Sequence, residues 1–531
     1  MTARKAARRK SGRGAKRNPN LPSARKPSSR SKNQGPEELS QFSEMPANPE
    51  IVIGIAAAVG TPLELFENFL SEQLSEFGYE TVVLRLSRYT REFRLSTRMP
   101  LASAREATRI DAMMNRGNEA RSVTGRNDIL ALSAIADIRV KRARDADDRA
   151  LPGKAFVLRQ LKHPEEVHLL RDTYGSGFHL FGLYCPRDRR ERHLRERGAN
   201  VSEVRRLIDR DEHEASGSGQ HLRDTFHMAD VFFEVGDKHD DVRRELSRFL
   251  QLLFGMGVIA PTQHEFGMFQ AYAASLRSAQ LGRQVGAAII SEHGDILSVG
   301  TNEVPRCGGG LYWDHDDHDK RDHKLGYDSS DKAKEEVVTE IAERIHSNWE
   351  NETKASKQRF ITELLSKLRS TRITSLTEFG RAVHAEAEAI LSAARIGASP
   401  RGGILYCTTF PCHVCARHIV AAGIREVFYI EPYPKSKAFD LHADSISIET
   451  RVSNRVLFRP FVGVAPRRFE RLFSMVSAEG REIKRKDDKG MVNSTETGLR
   501  LKFPYFSALG NEKRVAAQLE GLTKDQGGSN G

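Results

Sequence analysis

Four side chains in the second half of this chain have the types and spacing of a metal centre. His384-Ala-Glu386 is answered about 25 residues later by Pro411-Cys412-His413-Val414-Cys415. One imidazole and two thiolates suit a single zinc ion and leave its fourth position open, as in a catalytic rather than a closed structural site. Glu386 is not needed as a ligand, and its carboxylate is the natural proton carrier.

Such a set works only if the backbone delivers it. Cys412 and Cys415 are three apart on a helix expected over Cys412–Ala422, hence on one face, and in its first turn the helix dipole favours thiolates. His384 and Glu386 would point about 200° apart within a regular helix. They converge only at a helix's first residues, with Val383 ending a strand-like approach. Glu388 is expected to be solvated or to support His384. A Cys-x-x-Cys can also be a zinc knuckle or a redox pair, but Pro411 and the upstream His-x-Glu favour the open site. His413 and His418 read as surface or packing residues, and Cys307 and Cys407 as residues that only pack. The His/Asp-rich stretch 314–323 reads as an acidic loop rather than a second metal site.

The elements around this set alternate between strand and helix signals, so the class is α/β. Ile51–Ile55 reads as a buried strand, followed by a helix through Glu76 and a strand at Tyr79–Leu86, a βαβ unit. Between them Gly54, Gly60 and Thr61 stand where a phosphate-binding loop would, but the spacing is one residue too long and the lysine is missing. Nucleotide binding through backbone amides and a mere tight turn both remain open there. Arg187–Glu214 reads either as a mobile lid or as a charge-laced helix pair. Further on come a helix over His264–Arg283, a hairpin from Val285 to Gly300 turning at Gly294-Asp295, and a charged insertion 308–380 with a helix over Lys332–Glu350. A strand at Ile404–Cys407, one at Glu426–Ile430 and a late helix over Glu512–Leu522 complete the reading. The boundaries follow: a basic tail over 1–46, a first domain over 47–257, a second over 258–475, and an extension over 476–531.

Composition restricts the function classes. The chain has 531 residues and a formal net charge of +12. Residues 1–36 hold 12 Lys/Arg and no acid, and the remaining basic residues balance the 71 acidic ones. The excess is therefore a tail, expected to be disordered, which solvation, a polyanion contact or organelle targeting would each explain. No apolar run reaches the ~18–20 residues of a membrane helix, and five cysteines without a signal peptide point to a reducing, cytoplasmic setting.

His-x-Glu followed by Pro-Cys-x-x-Cys resembles the signature of zinc-dependent nucleobase deaminases, in which water attacks C4 of cytosine or C6 of adenine and ammonia leaves. More narrowly, the C-terminal half resembles the deoxycytidylate deaminase branch of the cytidine deaminase superfamily. The matching stretches are Arg283-Gln-Val-Gly-Ala-Ala-Ile-Ile290, Gly300-Thr-Asn302, His384-Ala-Glu386 and Thr408-Thr-Phe-Pro-Cys412-His-Val-Cys415. The whole chain is similar to bacterial anti-phage deoxycytidine nucleotide deaminases, which fuse a P-loop kinase-like domain to this deaminase. Gln160-Leu-Lys-His-Pro-Glu-Glu166, Phe226-His-Met-Ala-Asp230, Gly308–Trp313, Asp319–Asp322 and Phe461–Pro466 carry that match. The resemblance implies a P-loop NTPase-like parallel-sheet domain followed by a three-layer α/β/α deaminase domain. It implies zinc on His384, Cys412 and Cys415, a proton shuttle at Glu386 and a nucleotide contact at Asn302. Arg283, Arg306 and Lys435 are candidates, by position, for the substrate phosphate. The implied substrate is dCTP, dCMP or both, consumed when phage infects, by a homo-oligomer whose N-terminal domain binds or senses nucleotide. A polynucleotide deaminase anchored by the basic tail is the alternative reading, and an idle nucleotide-binding scaffold a third.

Overall fold

Ile51-Val-Ile-Gly-Ile-Ala-Ala57 is buried along its whole length and forms β1, as an unbroken apolar run does when both faces of a parallel sheet are covered. In the computed structural model the described residues are 48–101, 103–146, 150–213, 221–346, 348–368, 371, 379–432, 436–448, 450–476, 480, 482–492, 499–500 and 505–527. β2 (Glu80–Arg85), β3 (Lys154–Arg159), β4 (Phe178–Tyr184) and β5 (Val231–Glu234) are parallel to β1, in the order β5-β4-β1-β3-β2. The strand–helix–strand unit over 51–86 is present, but β3 enters between its two strands, a pairing that periodicity does not encode. Alternate residues of β1 face opposite layers. Ile51, Ile53 and Ile55 pack on the helices Leu63–Glu76 and His239–Leu253, and Val52 and Ala56 on Ile129–Ala146 and Pro164–Tyr174.

The second sheet is mixed. β6 (Gly286–Ile290) and β7 (Ile296–Thr301) form the expected hairpin, with Gly294 at φ +96° in its turn. β8 (Ile404–Thr409), β9 (Glu426–Glu431), β10 (Ile446–Ile448) and β11 (Val456–Pro460) complete the order β10-β11-β9-β8-β6-β7. The helices Ala385–Ile396 and His413–Ala421 cover one face through Ala385, Ala389, Ala416 and Ile419. The helix Gln263–Ser275 covers the other through Met268 and Ala271. It starts in a capping box between Thr262 and Glu265, which satisfies two orphan amides reciprocally. It stops well short of Arg283 because the fully buried Glu303 draws the Ala279 amide and the Gln280 side chain, at 2.9 Å each, into a loop.

The two sheets share a core. β12 (Gly463–Val464), from beyond the second sheet, pairs antiparallel with β5 of the first. Phe461 meets Phe232 edge-on, with centroids 6.0 Å apart. Arg468 and Arg171 both reach the buried Asp230, at 3.0 and 3.1 Å. The last helix, Tyr505–Gly527, longer at both ends than its polar sequence suggests, returns to pack on Ile129–Ala146 and Pro164–Tyr174. Within the insertion, Ser329–Ile345 and Lys354–Leu368 pack as two helices. The first of these ends at Ile345 rather than Glu350, with His346 extended. No helix among the described residues is long and apolar enough to cross a membrane.

Candidate active site

His384 is the N-cap of Ala385–Ile396, extended at φ −68° and ψ 151°. The residue before it, Val383, exchanges backbone hydrogen bonds with Glu303 at 3.0 and 3.3 Å. The chain thus arrives as a strand and turns into a helix between His384 and Glu386, which brings both side chains to the same end. Cys412 is likewise the N-cap of His413–Ala421, rather than its first helical residue. Its sulfur accepts the Cys415 amide at 3.5 Å. Both helices therefore present their amino ends, where the dipole stabilises negative charge.

The donor atoms of His384, Cys412 and Cys415 lie within 4.8 Å of one another. His384 Nδ1 is 3.3 Å from Cys412 Sγ and 3.4 Å from Cys415 Sγ. A tetrahedral zinc with bonds of ~2.0–2.1 Å to nitrogen and ~2.3 Å to sulfur needs an N···S edge of ~3.5 Å. The residues present fit that ion in donor type, number and spacing. Burial and the neighbouring thiols tune them. The hydrogen bond from Cys415 holds the Cys412 thiol well below its usual range, while Cys415 is pushed up by Cys412 and by burial. The Cys412 contact raises His384 to about 9. Glu386 is 4% exposed, receives the Cys415 thiol at 3.5 Å, and is raised by burial. A dry carboxyl that both accepts and returns a proton suits general acid–base work.

The remaining candidates separate. Asn302 spends its amide on the backbone, accepting from Val285 N at 2.7 Å and donating to Arg283 O at 2.8 Å. It thereby fixes the loop that leads into β6. Arg283 is half exposed and pairs with Glu431 at 3.1 Å. Glu431 also receives the Thr409 hydroxyl at 3.3 Å, a clamp that no local motif singles out. Arg306 pairs with Asp316 at 3.1 Å, and Lys435 lies outside the described residues. Glu388 is neither solvated nor bonded to the His384 ring: it is 5% exposed and paired with Arg395. Cys407 packs, donating to Thr409 O, whereas Cys307, expected to pack as well, is exposed in the turn before Gly308. Asp314, Asp319 and His323 also gather their donor atoms. Both carboxylates nevertheless face Arg321, at 3.4 and 2.7 Å, and its hydrogen bond holds Asp319 down to about 2.

In the first sheet Gly54 is not part of a loop. It lies inside β1, where a Cβ would meet Leu161 Cδ1 at 2.4 Å. Gly60 and Thr61 do form the turn that follows β1, with Gly60 at φ +86°. Arg187–Glu196 and Val201–His213 are a helix pair tied by charge, for example Arg187 to Asp209 at 3.2 Å, and Arg210 ties the second to Asp111 of the helix Glu106–Thr124 at 2.8 Å.

Residues 261–431 match the family model described as the cytidine and deoxycytidylate deaminase zinc-binding region, and all four residues of the centre fall inside it. A zinc-binding deaminase domain and a His/Cys/Cys group able to hold a metal thus coincide. The deoxycytidylate deaminase of Enterobacteria phage T2 is 47% identical over 55 residues, 10% of this chain and 29% of that protein. This chain spans less than a third of the length of that relative. The mouse deoxycytidylate deaminase is 24% identical over 214 residues, 40% of this chain and 82% of the relative. The crystal structure of dCMP deaminase from cyanophage S-TIM5 with dCMP and dUMP aligns at 19% identity and a TM-score of 0.22, covering 38% of this chain and 98% of the other.

Proposed function

We propose that the chain hydrolytically deaminates a free deoxycytidine nucleotide, dCMP or dCTP, to the deoxyuridine nucleotide and ammonia. The observation that carries this reading is the convergence of the three donor atoms with the buried Glu386 carboxyl at one pair of helix N-termini. A zinc ion held there supplies the Lewis acidity that brings deprotonation of a water within reach of neutral pH. Glu386 takes the water's proton as its oxygen adds to C4 of the cytosine. It passes that proton to N3, then carries the second proton from the hydroxyl now on C4 to the exocyclic amine, so the C4–N bond breaks, ammonia leaves and C4 becomes a carbonyl. Asn302, which holds the 283–285 loop in place, is assigned to the sugar through the lone pair and N–H that its backbone bonds leave over, and Arg283, on exchanging Glu431 for substrate, to the phosphate, with Lys435 as a further phosphate cation. The sequence resemblance carried by Gln160–Glu166, Phe226–Asp230 and Phe461–Pro466 supports dCTP depletion during phage infection as the role.

One assay tests this. The zinc-loaded protein is incubated with dCMP, dCTP, deoxycytidine and single-stranded DNA, and uracil formation is followed. The expected result is turnover of a nucleotide and a fall of about 10²-fold or more in Glu386→Gln. Turnover of the oligonucleotide alone would instead establish the polynucleotide reading.

A further inference from the structure

A crevice lies outside the carboxyl ends of β1, β2 and β3. It is walled by the turn after β1, the helix Glu106–Thr124 and the helix pair 187–213. Open parallel sheets take ligands outside their carboxyl ends, where the strand order changes direction. Here β3 and β2 lie on one side of β1, and β4 and β5 on the other. The walls combine apolar Met113 and Met114 with the cations Arg109, Arg159, Lys162 and Arg197.

At the bottom of this crevice a carboxylate sits where an anion would be expected. Asp211, from the last turn of Val201–His213, has a fully buried side chain. One of its oxygens accepts the Val59 amide at 2.7 Å and the other accepts Lys162 Nζ at 2.7 Å. Lys162 also donates to Ala57 O, the last residue of β1, at 3.0 Å. The ammonium absent from the 54–61 stretch is thus supplied from beyond the end of β3. A second observation points to a ligand. Thr61 lines the same crevice, is 6% exposed, and its buried hydroxyl has no hydrogen-bond partner among the described residues. The Val59 backbone amide in the turn after β1, an ammonium and an unused hydroxyl form a donor set for a tetrahedral anion.

We propose that this is a phosphate seat held shut by Asp211. A phosphate-bearing ligand takes Val59 N and Lys162 Nζ from the carboxylate and satisfies the Thr61 hydroxyl. Its entry releases Asp211 and loosens the Val201–His213 helix over the crevice. Arg159 and Arg197, both held by Glu64 from the Leu63–Glu76 helix at 3.0 and 2.9 Å, line the path for a second phosphate or a sugar. The seat is separate from the zinc-ligand set and does not depend on deamination, so either reading can fail alone.

The experiment uses the full-length, zinc-loaded chain with inorganic pyrophosphate in one arm and ATP in the other. Hydrogen exchange is followed over residues 58–63 and 201–211, and affinity is measured by calorimetry. Binding should slow exchange in 58–63 and speed it in 201–211. Asp211→Asn should bind about tenfold more tightly, because the competing closed state is weakened, and Lys162→Met should lose binding. A response to both probes supports the seat with phosphate alone as sufficient, and a response to ATP only supports it with the nucleoside required. The absence of any exchange change in the wild-type chain with either probe overturns the seat, even if Asp211→Asn does not fold. Equal affinity of wild type and a folded Asp211→Asn overturns the gate.

Discussion

Glu386 and Glu388 are two residues apart on one helix and nearly equally buried, yet they face different partners. Glu386 has the Cys415 thiol beside it, whereas Glu388 is neutralised by Arg395. Only the first is left to exchange protons. Cys412→Ala should therefore abolish stoichiometric zinc by elemental analysis while Glu388→Gln retains it, and a Cys412→Ala protein that kept its zinc would refute the ligand assignment. His179 offers a pH effect distant from the metal. It is 1% exposed, and burial, aided by the Arg468 charge, lowers it from 6.5 to about 3. The unfolded chain takes a proton below pH 6.5 while the folded chain does not. This contribution to stability is complete above pH 6.5 and declines as the pH falls toward 3, by about 2 kcal/mol at pH 5. Urea unfolding at pH 7 and pH 5 should show a smaller acid loss in His179→Gln than in the wild type.

At the scale of elements, the centre depends on how closely one helix can approach one strand. A Cβ at Gly300 in β7 would meet Ala385 O at 2.1 Å and Ala389 N at 2.4 Å. These are backbone atoms of the helix that carries Glu386 and begins at His384. Ser298 adds a hydrogen bond to Ala389 O at 2.7 Å. Gly300→Ala should force the helix outward, costing about 1–3 kcal/mol as overpacking does, and should lower zinc occupancy together with kcat. Thermal unfolding and metal content measured on the same sample check this. Unchanged zinc alongside a lowered Tm would mean that the helix shifts without disturbing its first turn. The sequence shows Gly300 as one more strand residue before Thr301-Asn302, because the atoms it makes room for come from more than 80 positions later.

The whole molecule is closed by charges that no local pattern announces. Arg142 is fully buried between Glu50, at 3.0 Å, and Glu512 of the last helix. Together they join the residue before β1, a helix of the first sheet's outer layer and the C-terminal helix. Arg142→Met would leave two buried carboxylates without their cation, a loss of about 3–5 kcal/mol for a broken buried pair. The expected outcome is release of the segment 505–527, read as faster proteolysis there at unchanged zinc content. A segment 505–527 that stayed protease-resistant would show that apolar packing alone holds it.

The sequence by itself determined the local chemistry. A zinc-type donor set and a proton carrier, the strand–helix alternation, the β6–β7 hairpin and the need for His384 and Glu386 to stand at the first residues of a helix follow from residue type and short-range spacing, because metal preference, periodicity and capping act over a few residues. Tertiary structure alone decided the pairings across long separations. It set β3 between β1 and β2, β12 beside β5, and the early end of the helix Gln263–Ser275 against buried Glu303. It also gave the Asn302 amide to the 283–285 backbone and brought Lys162 and Asp211 to the turn after β1. These depend on which buried polar group finds which partner, and that choice is made by the closed core rather than by the neighbouring residues.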